Sequence, residues 1–284
     1  VPELPEVETV RRGLDARVVG RRVGQVEVGR ERTVRRTSRD AVISGLTGTT
    51  ITATGRRGKY LTLSLDSGDA VMVHLRMSGQ LLLAAAGTVR PVHTHVVMHL
   101  EPSDRHPQAE ELWFVDPRTF GEVVVFDPDE VETDLPEFAR LGVDPITDGL
   151  TRAQLRRIVL GRDRQMKALL LDQHVIAGIG NIYADEILHR ARLRPDRRSS
   201  TLTGQQITRL HAAVLDILGA AIEAGGSTLR DAQYVDLMGE GGEYQDVHRV
   251  YGRTGLPCLT CGRATIVRLV ANGRGTHLCP RCQH

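Results

Sequence analysis

Four cysteines fall within the last 27 residues of a 284-residue chain, as Cys258-Leu-Thr-Cys261 and, after 17 intervening residues, Cys279-Pro-Arg-Cys282. Each C-x2-C pair turns two thiolates toward one point, and two such knuckles complete a closed tetrahedral site. Closed coordination leaves no open position for chemistry, so the expected ion is one structural Zn2+; an iron site and a redox pair are the alternatives. The N-terminus lacks the positive charge and apolar run of a secretory signal, so a disulfide framework is not expected. Between the knuckles, the β-formers of Thr265–Leu278 flank Asn272-Gly273, a hairpin turn signal. The cysteines therefore pin a β-hairpin, and it carries Arg263, Arg268 and Arg274.

The rest of the chain divides by the period of its apolar residues. Leu4, Val7, Val10, Leu14 and Val18 recur at helical spacing. Short β-branched runs broken by glycine follow: Val23–Val28, Thr50–Thr54, Tyr60–Leu65, Ala70–Leu75, Gln80–Ala84, Thr94–Leu100, Glu111–Val115 and Glu122–Phe126. That spacing predicts an antiparallel sandwich or barrel. The Pro- and Asp-rich stretch Asp127–Pro136 reads as a linker. Helical period then returns around Leu155, over Met166–Leu171, over Ile182–Ala191, and from Leu202 to Ala224 with Gly225-Gly226 as its stop. Ser227–Val250 reads as a long loop, and long loops in compact domains are often functional. No run approaches the roughly 18 apolar residues of a membrane span.

Charge is segregated along the chain. Residues 1–96 carry +6 (15 basic against 9 acidic side chains), residues 97–150 carry −11 (3 against 14), and residues 151–284 carry +7 (19 against 12). Two positive stretches around an acidic one suit two surfaces facing one polyanion across a cleft, although solvated helices give the same pattern.

Two further segments admit two readings each. Val1-Pro2-Glu3-Leu4-Pro5-Glu6 reads locally as a proline-led helix start with acids complementing the dipole. It also reads as a terminal nitrogen placed beside carboxylates as a reagent. Gly178-Ile-Gly180-Asn181-Ile-Tyr183 is either an ordinary helix–helix turn or a glycine turn with Asn181 at the N-cap, whose N–H groups converge on a phosphate. Arg162 and Lys167 just upstream favour nucleic-acid backbone.

Taken in order, Pro2–Glu8, Gly58-Lys59-Tyr60, His74-Leu-Arg-Met77-Ser-Gly79, Asp116-Pro-Arg118-Thr-Phe120-Gly121, Gly178–Asp185, Tyr251-Gly-Arg253 and the four cysteines resemble the bacterial formamidopyrimidine-DNA glycosylase family. The resemblance covers essentially the whole chain. It implies an α+β fold: an N-terminal β-sandwich with a leading helix, a C-terminal helix-two-turn-helix domain and a zinc-bound β-hairpin. The expected division is a catalytic sandwich at 1–135, a linker at 136–150, the helical domain with its lesion loop at 151–245, and the zinc finger at 246–284. The implied activity is excision of oxidised purines from duplex DNA with cleavage of the strand, by a monomer in the cytoplasm at the nucleoid.

The family's site residues carry over by motif. Pro2 matches the nucleophile, an amine whose reference pKa of about 7.7–8.0 leaves a neutral fraction to attack C1′. Glu3 matches the general acid and Glu6 a supporting acid. Lys59 matches the lysine beside the lesion phosphate; on its own, a Lys after Arg56-Arg57-Gly58 is more often a solvated strand end. Arg274 matches the finger arginine that grips flanking phosphates. Met77, Arg118 and Phe120 match the trio that fills the gap left by a flipped base, where Met fills, Phe wedges and Arg hydrogen-bonds the orphaned base. His74, His93, Arg162, Lys167 and Asn181 fall where the family contacts DNA, and the Ser227–Val250 loop where it closes over the purine.

The chain departs from the pattern at Thr119, which stands where many relatives have a second arginine, and in a finger spacing one residue longer than the commoner one. The loop is also slightly longer than in some relatives. Val1 precedes the proline, and a Pro2 locked in an amide has no lone pair to attack with. The expectation is that Val1 reports a GUG start and that initiator Met is removed to expose Pro2. Two rivals stand beside this reading: an endonuclease VIII-like enzyme for oxidised pyrimidines, and a non-catalytic lesion-binding protein should Val1 be retained.

Overall fold

The computed structural model describes residues 2–229, 234–271 and 273–284. Val1, Asn272 and residues 230–233 of the expected lesion loop lie outside the described residues, and with them the expectations about the terminal residue and about Asn272 in the finger turn. The chain divides into two compact units, residues 1–140 with 225–243, and residues 141–224 with 244–284.

In the first unit, α1 (Leu4–Arg17) buries Leu4, Val7, Val10 and Leu14, the face that their spacing predicts. The strands are β1 (Val23–Val28), β2 (Ile51–Arg57), β3 (Tyr60–Leu65), β4 (Ala70–His74), β5 (Gln80–Ala85), β6 (Thr94–Leu100), β7 (Glu110–Val115) and β8 (Glu122–Phe126). They form two four-stranded sheets in the orders β1-β6-β7-β5 and β2-β3-β4-β8. Every pairing is antiparallel. Alternate residues of both sheets, among them Val26, Leu61, Leu63, Val71, Val73, Leu81, Met98 and Phe114, share one core with α1, which makes the architecture a sandwich.

Three features differ from expectation. A short helix, α2 (Arg39–Leu46), interrupts the strands; Ser38 caps it by accepting the Ala41 N–H at 3.0 Å, and Val42 and Leu46 are buried. The stretch expected as a linker is folded into α3 (Val131–Asp134) and α4 (Pro136–Ala139). Its Leu135 and Phe138 cover Ala70, Met72, Val124 and Phe126 on the outer face of β4 and β8, so that face is not left to water. Third, Gly225–Glu243 packs with the sandwich unit although it follows the helices in sequence. Its Tyr234 and Leu237 enter the sandwich core, and Leu83 N–H donates to Leu237 O at 2.9 Å.

The second unit contains α5 (Arg152–Leu160), α6 (Met166–Leu171), α7 (Asn181–Ala191) and α8 (Gly204–Glu223), followed by β9 (Val267–Ala271) and β10 (Arg274–Leu278). Thr151 and Thr203 open α5 and α8 with capping boxes. The two strands pair antiparallel from Val267↔Leu278 to Ala271↔Arg274, as the hairpin reading requires. Among the described residues no helix is long and apolar enough to cross a membrane.

Candidate DNA-processing site

At the start of α1 the helix-cap reading and the reagent reading fall on the same atoms. Glu3 is the N-cap and Glu6 the third helical residue of a capping box. Pro2, Glu3 and Glu6 are all buried, Glu6 to 1% exposure. Glu6 accepts the Glu3 N–H through Oε2 and the Ser227 N–H through Oε1, both at 2.7 Å. One carboxylate thus ties the first turn of α1 to the chain 221 residues later. Gly226 is what lets the chain come so close: its φ is +80°, and a Cβ there would sit 2.8 Å from Glu6 Cγ and Oε1. Tyr234 closes the segment by donating its hydroxyl to Gly225 O at 2.9 Å, and burial, reinforced by the Glu6 charge, raises its phenol above the usual range.

Lys59 lies half-buried in the two-residue turn between β2 and β3, where Arg57 pairs with Tyr60. The turn is braced from behind by Arg56, which donates Nε–H to Glu8 of α1 at 2.9 Å and a guanidinium N–H to Gly58 O at 2.9 Å. Burial works against the Glu8 charge, but the bonds from Arg11 and Arg56 outweigh it and hold the carboxyl below its usual range.

Met77 and Phe120 are each 39% exposed, on the turns after β4 and before β8, and Arg118 stacks its guanidinium over the Phe120 ring at 5.3 Å. Large apolar side chains held in water at turn tips are poor core residues and good wedges. His93 is exposed nearby, with φ of +71°. His74 is buried instead: its ring meets Tyr60 edge-on at 4.2 Å and its Nδ1 accepts the Arg76 N–H at 2.9 Å. Burial, then the charges of Arg76, Lys59 and Arg36, push its pKa well below the ordinary value.

In the second unit Arg162 and Arg274 are exposed. Lys167 is not. It is 0% exposed, and its Nζ donates to Asp185 Oδ1 at 2.6 Å, Thr276 Oγ1 at 2.8 Å and Gly275 O at 3.2 Å. The expectation that Lys167 touches DNA is corrected: an ammonium enclosed by a carboxylate and two other acceptors joins α6 to α7 and β10. Asp185 also accepts the His277 N–H at 2.8 Å and bonds His277 Nδ1 at 3.1 Å. Asn181 needs a smaller correction. The N-cap of α7 is Gly180, and Asn181 is the first helical residue, donating Nδ2–H to Gly275 O at 3.1 Å. Its Oδ1 is buried without a hydrogen-bond partner. The carbonyl beside Arg274 is therefore held by Lys167 and Asn181 together.

Sequence reasoning gave no role to Glu8, Arg56 and Asp185, since each stands near other charged residues and its partner lies far along the chain.

The four cysteine sulfurs lie within 4.8 Å of one another, with Cys258–Cys282 and Cys261–Cys279 at 3.8 Å. A tetrahedron with Zn–S bonds of about 2.3 Å has sulfur–sulfur edges of about 3.8 Å, so the donor set fits a zinc ion. Gln283 fastens the finger to the end of α7: its Oε1 accepts the Cys279 N–H and its Nε2–H donates to Leu193 O, both at 2.9 Å.

A sandwich entered by a proline-led helix, a helical unit and a four-thiolate finger define an α+β protein of the zinc-finger class. Three family models cover the chain in order: formamidopyrimidine-DNA glycosylase N-terminal domain at residues 1–123, formamidopyrimidine-DNA glycosylase H2TH domain at 141–233, and a zinc finger found in FPG and IleRS at 255–284. The chain belongs to the formamidopyrimidine-DNA glycosylase family. Curated relatives of that name include those of Rhodopseudomonas palustris (42% identical over 301 residues, all of both chains) and Salinispora arenicola (45% over 287 residues, all of this chain and 96% of the relative). Among solved structures, a complex of the Lactococcus lactis Fpg with DNA containing an abasic site superposes with a TM-score of 0.88 at 36% identity over 99% of each chain. A Lactococcus lactis FPG mutant with Fapy-dG containing DNA gives 0.88 at 35% over all of both chains.

Proposed function

We propose that this chain is a bifunctional DNA glycosylase and AP lyase that removes oxidised purines, 8-oxoguanine and formamidopyrimidines, from duplex DNA. The observation that carries the reading is the buried proline–carboxylate helix start, held by the Glu6 bonds to Glu3 and Ser227 in a chain that matches its family from end to end. Pro2, as the terminal residue, attacks C1′ through its secondary amine while Glu3 protonates the sugar and the base departs. The nitrogen–C1′ bond forms as the C1′–base bond breaks, and loss of the ring oxygen's bond gives an iminium. That iminium acidifies the 2′ and 4′ positions, so β- and δ-elimination expel the two phosphates. Glu6 uses both oxygens as acceptors and so serves to hold the terminus. Lys59 offers an ammonium to the phosphate beside the lesion, and Arg274 a planar fork to flanking phosphates.

Met77, Arg118 and Phe120 occupy the gap left by the extruded nucleotide. His93, Arg162 and the remaining ring nitrogen of His74 add backbone contacts, while Asn181 acts through the carbonyl it holds. The zinc ion supplies no chemistry; its thiolates fix the hairpin that presents Arg274. The substrate is DNA at the nucleoid, acted on by a monomer in the cytoplasm.

Borohydride trapping on an 8-oxoguanine·cytosine duplex tests the proposal, using protein whose terminal residue is established as Pro2 by intact mass. A covalent adduct that forms with that duplex and is lost in Pro2→Gly is expected. Absence of adduct from such protein would overturn the enzyme reading, and faster turnover of thymine glycol would overturn the purine assignment.

A further inference from the structure

We infer that Asp116 and Ser78 are the positioning pair that makes the two wedge turns a single tool, an inference that rests on reading Met77, Arg118 and Phe120 as the gap-filling residues. Four non-glycine residues among those described have positive φ, and three of them adjoin this site: Arg76 at 54° beside Met77, Thr119 at 54° between Arg118 and Phe120, and His93 at 71°. Left-handed backbone is unfavourable for such residues and persists only where the surroundings over-determine it.

One carboxylate does much of the over-determining. Asp116 is fully buried. Its Oδ1 accepts the Ser78 hydroxyl at 2.5 Å and the Arg118 N–H at 3.1 Å, and its Oδ2 accepts the Gly121 N–H at 2.7 Å. Its own N–H donates to His93 O at 3.0 Å, and its carbonyl accepts the Thr119 N–H at 3.2 Å and bonds His95 Nε2 at 2.9 Å. Gly121 is fitted to this arrangement, since a Cβ there would lie 2.4 Å from Phe114 Cζ and 3.1 Å from Asp116 Oδ2. Of the three carboxylate bonds, two close the Arg118–Phe120 turn and the third, from Ser78, crosses to the turn that carries Met77. A wedge works only if its parts arrive together, because misplacement by about 1 Å can cost about 100-fold in rate. The hydroxyl–carboxylate bond sets the distance between the filler and the base-facing arginine.

Ser78→Ala removes the crossing bond and leaves the two within the other turn. Loss of one charge-assisted bond predicts a fall of about tenfold in single-turnover excision of 8-oxoguanine opposite cytosine. The fluorescence rise of a 2-aminopurine placed next to the lesion, which reports unstacking, should slow by the same factor. Cleavage at a pre-formed abasic site, where no base need be unstacked, should change by less than about threefold. Ser78→Thr keeps the hydroxyl and should restore both affected rates. Met77→Ala and Phe120→Ala are measured alongside. If these slow the unstacking signal and Ser78→Ala does not, the positioning inference is overturned while the wedge reading stands. If neither wedge variant slows it, the wedge reading fails and the inference with it. Equal slowing of all three Ser78→Ala readouts would reduce the pair to general structural support and overturn its positioning role.

Discussion

Replacing Lys167 by methionine separates a buried structural ion pair from a phosphate contact. The two side chains of the Lys167–Asp185 pair are both 0% exposed, with Nζ 2.6 Å from Oδ1. Methionine keeps most of the volume and removes the charge, so Asp185 retains its His277 bonds on Oδ2 but loses the Lys167 bond on Oδ1. Breaking one side of a buried pair leaves an uncompensated charge, which costs about 3–5 kcal/mol. Neutralising the survivor in Lys167→Met/Asp185→Asn should recover more than half of that loss, the signature of coupling in a double-mutant cycle. The measurement is guanidinium unfolding followed by zinc release to a chromophoric chelator, because the broken contacts hold the finger strand β10 to α6 and α7. Salt dependence of DNA affinity supplies the contrast: a lost phosphate contact lowers the slope of log K against log salt by about 0.9, and a buried lysine leaves it unchanged. A stability loss below about 1 kcal/mol would refute the buried-pair reasoning. A slope lower by about 0.9 would then return the ammonium to a phosphate.

Gly226→Ala should destabilise the sandwich unit by about 2–4 kcal/mol, from left-handed backbone at a residue with a Cβ and from displacement of Glu6 off the Ser227 N–H. Urea unfolding reads it, and a midpoint equal to wild type would show that the Glu6 contact is not maintained in solution. Stability of the helical unit should fall on acidification. Burial lowers the His248 pKa from 6.5 to about 4, so the folded state resists a proton that the unfolded chain accepts. Stability is therefore full above pH 6.5 and declines toward pH 4, by about 3 kcal/mol at most for this one group. His248→Gln should flatten that decline by His248's share; an unchanged pH profile would exclude the contribution of His248.

The strands were legible because their signals are local: β-branched runs and the glycines that end them. What the sequence hid depends on partners far along the chain. Asp127–Pro136 has the composition of a linker, yet Leu135 and Phe138 are needed to cover β4 and β8. The available clue was β4 itself, whose Ala-Val-Met-Val run is apolar on both faces and so demands cover on both. Arg39–Leu46 has a weak helical signal because Val42, Ile43 and Gly45 are weak helix formers, and the N-cap Ser38 is its clearest local mark. The DNA-contact expectation for Lys167 rests on its charge and its place in the family pattern, neither of which reports burial. Set within Met-Lys-Ala-Leu-Leu-Leu, a lone cation on a buried helix is better read as one half of an internal pair. The return of Gly225–Glu243 to the first unit has no local signal, since the Ser227–Glu6 bond joins residues 221 positions apart.

The opening hexapeptide shows why the plain and the chemical readings of a motif need not compete. A helix start must satisfy orphan N–H groups, and here the groups that do so are carboxylates in a capping box. That duty fixes Glu3 and Glu6 relative to the nitrogen of Pro2 without any element added for catalysis. It also separates the two acids by role. Glu6, with each oxygen accepting a backbone N–H 2.7 Å away, is committed as an acceptor, and a committed acceptor is a poor proton donor. On the proposed reading of the site, proton delivery would then fall to Glu3, which adjoins Pro2. Pre-organisation of this kind lowers the reorganisation needed when charge develops on the sugar. It also ties Gly226 to the start of α1, since any residue there with a side chain must push on the Glu6 carboxylate.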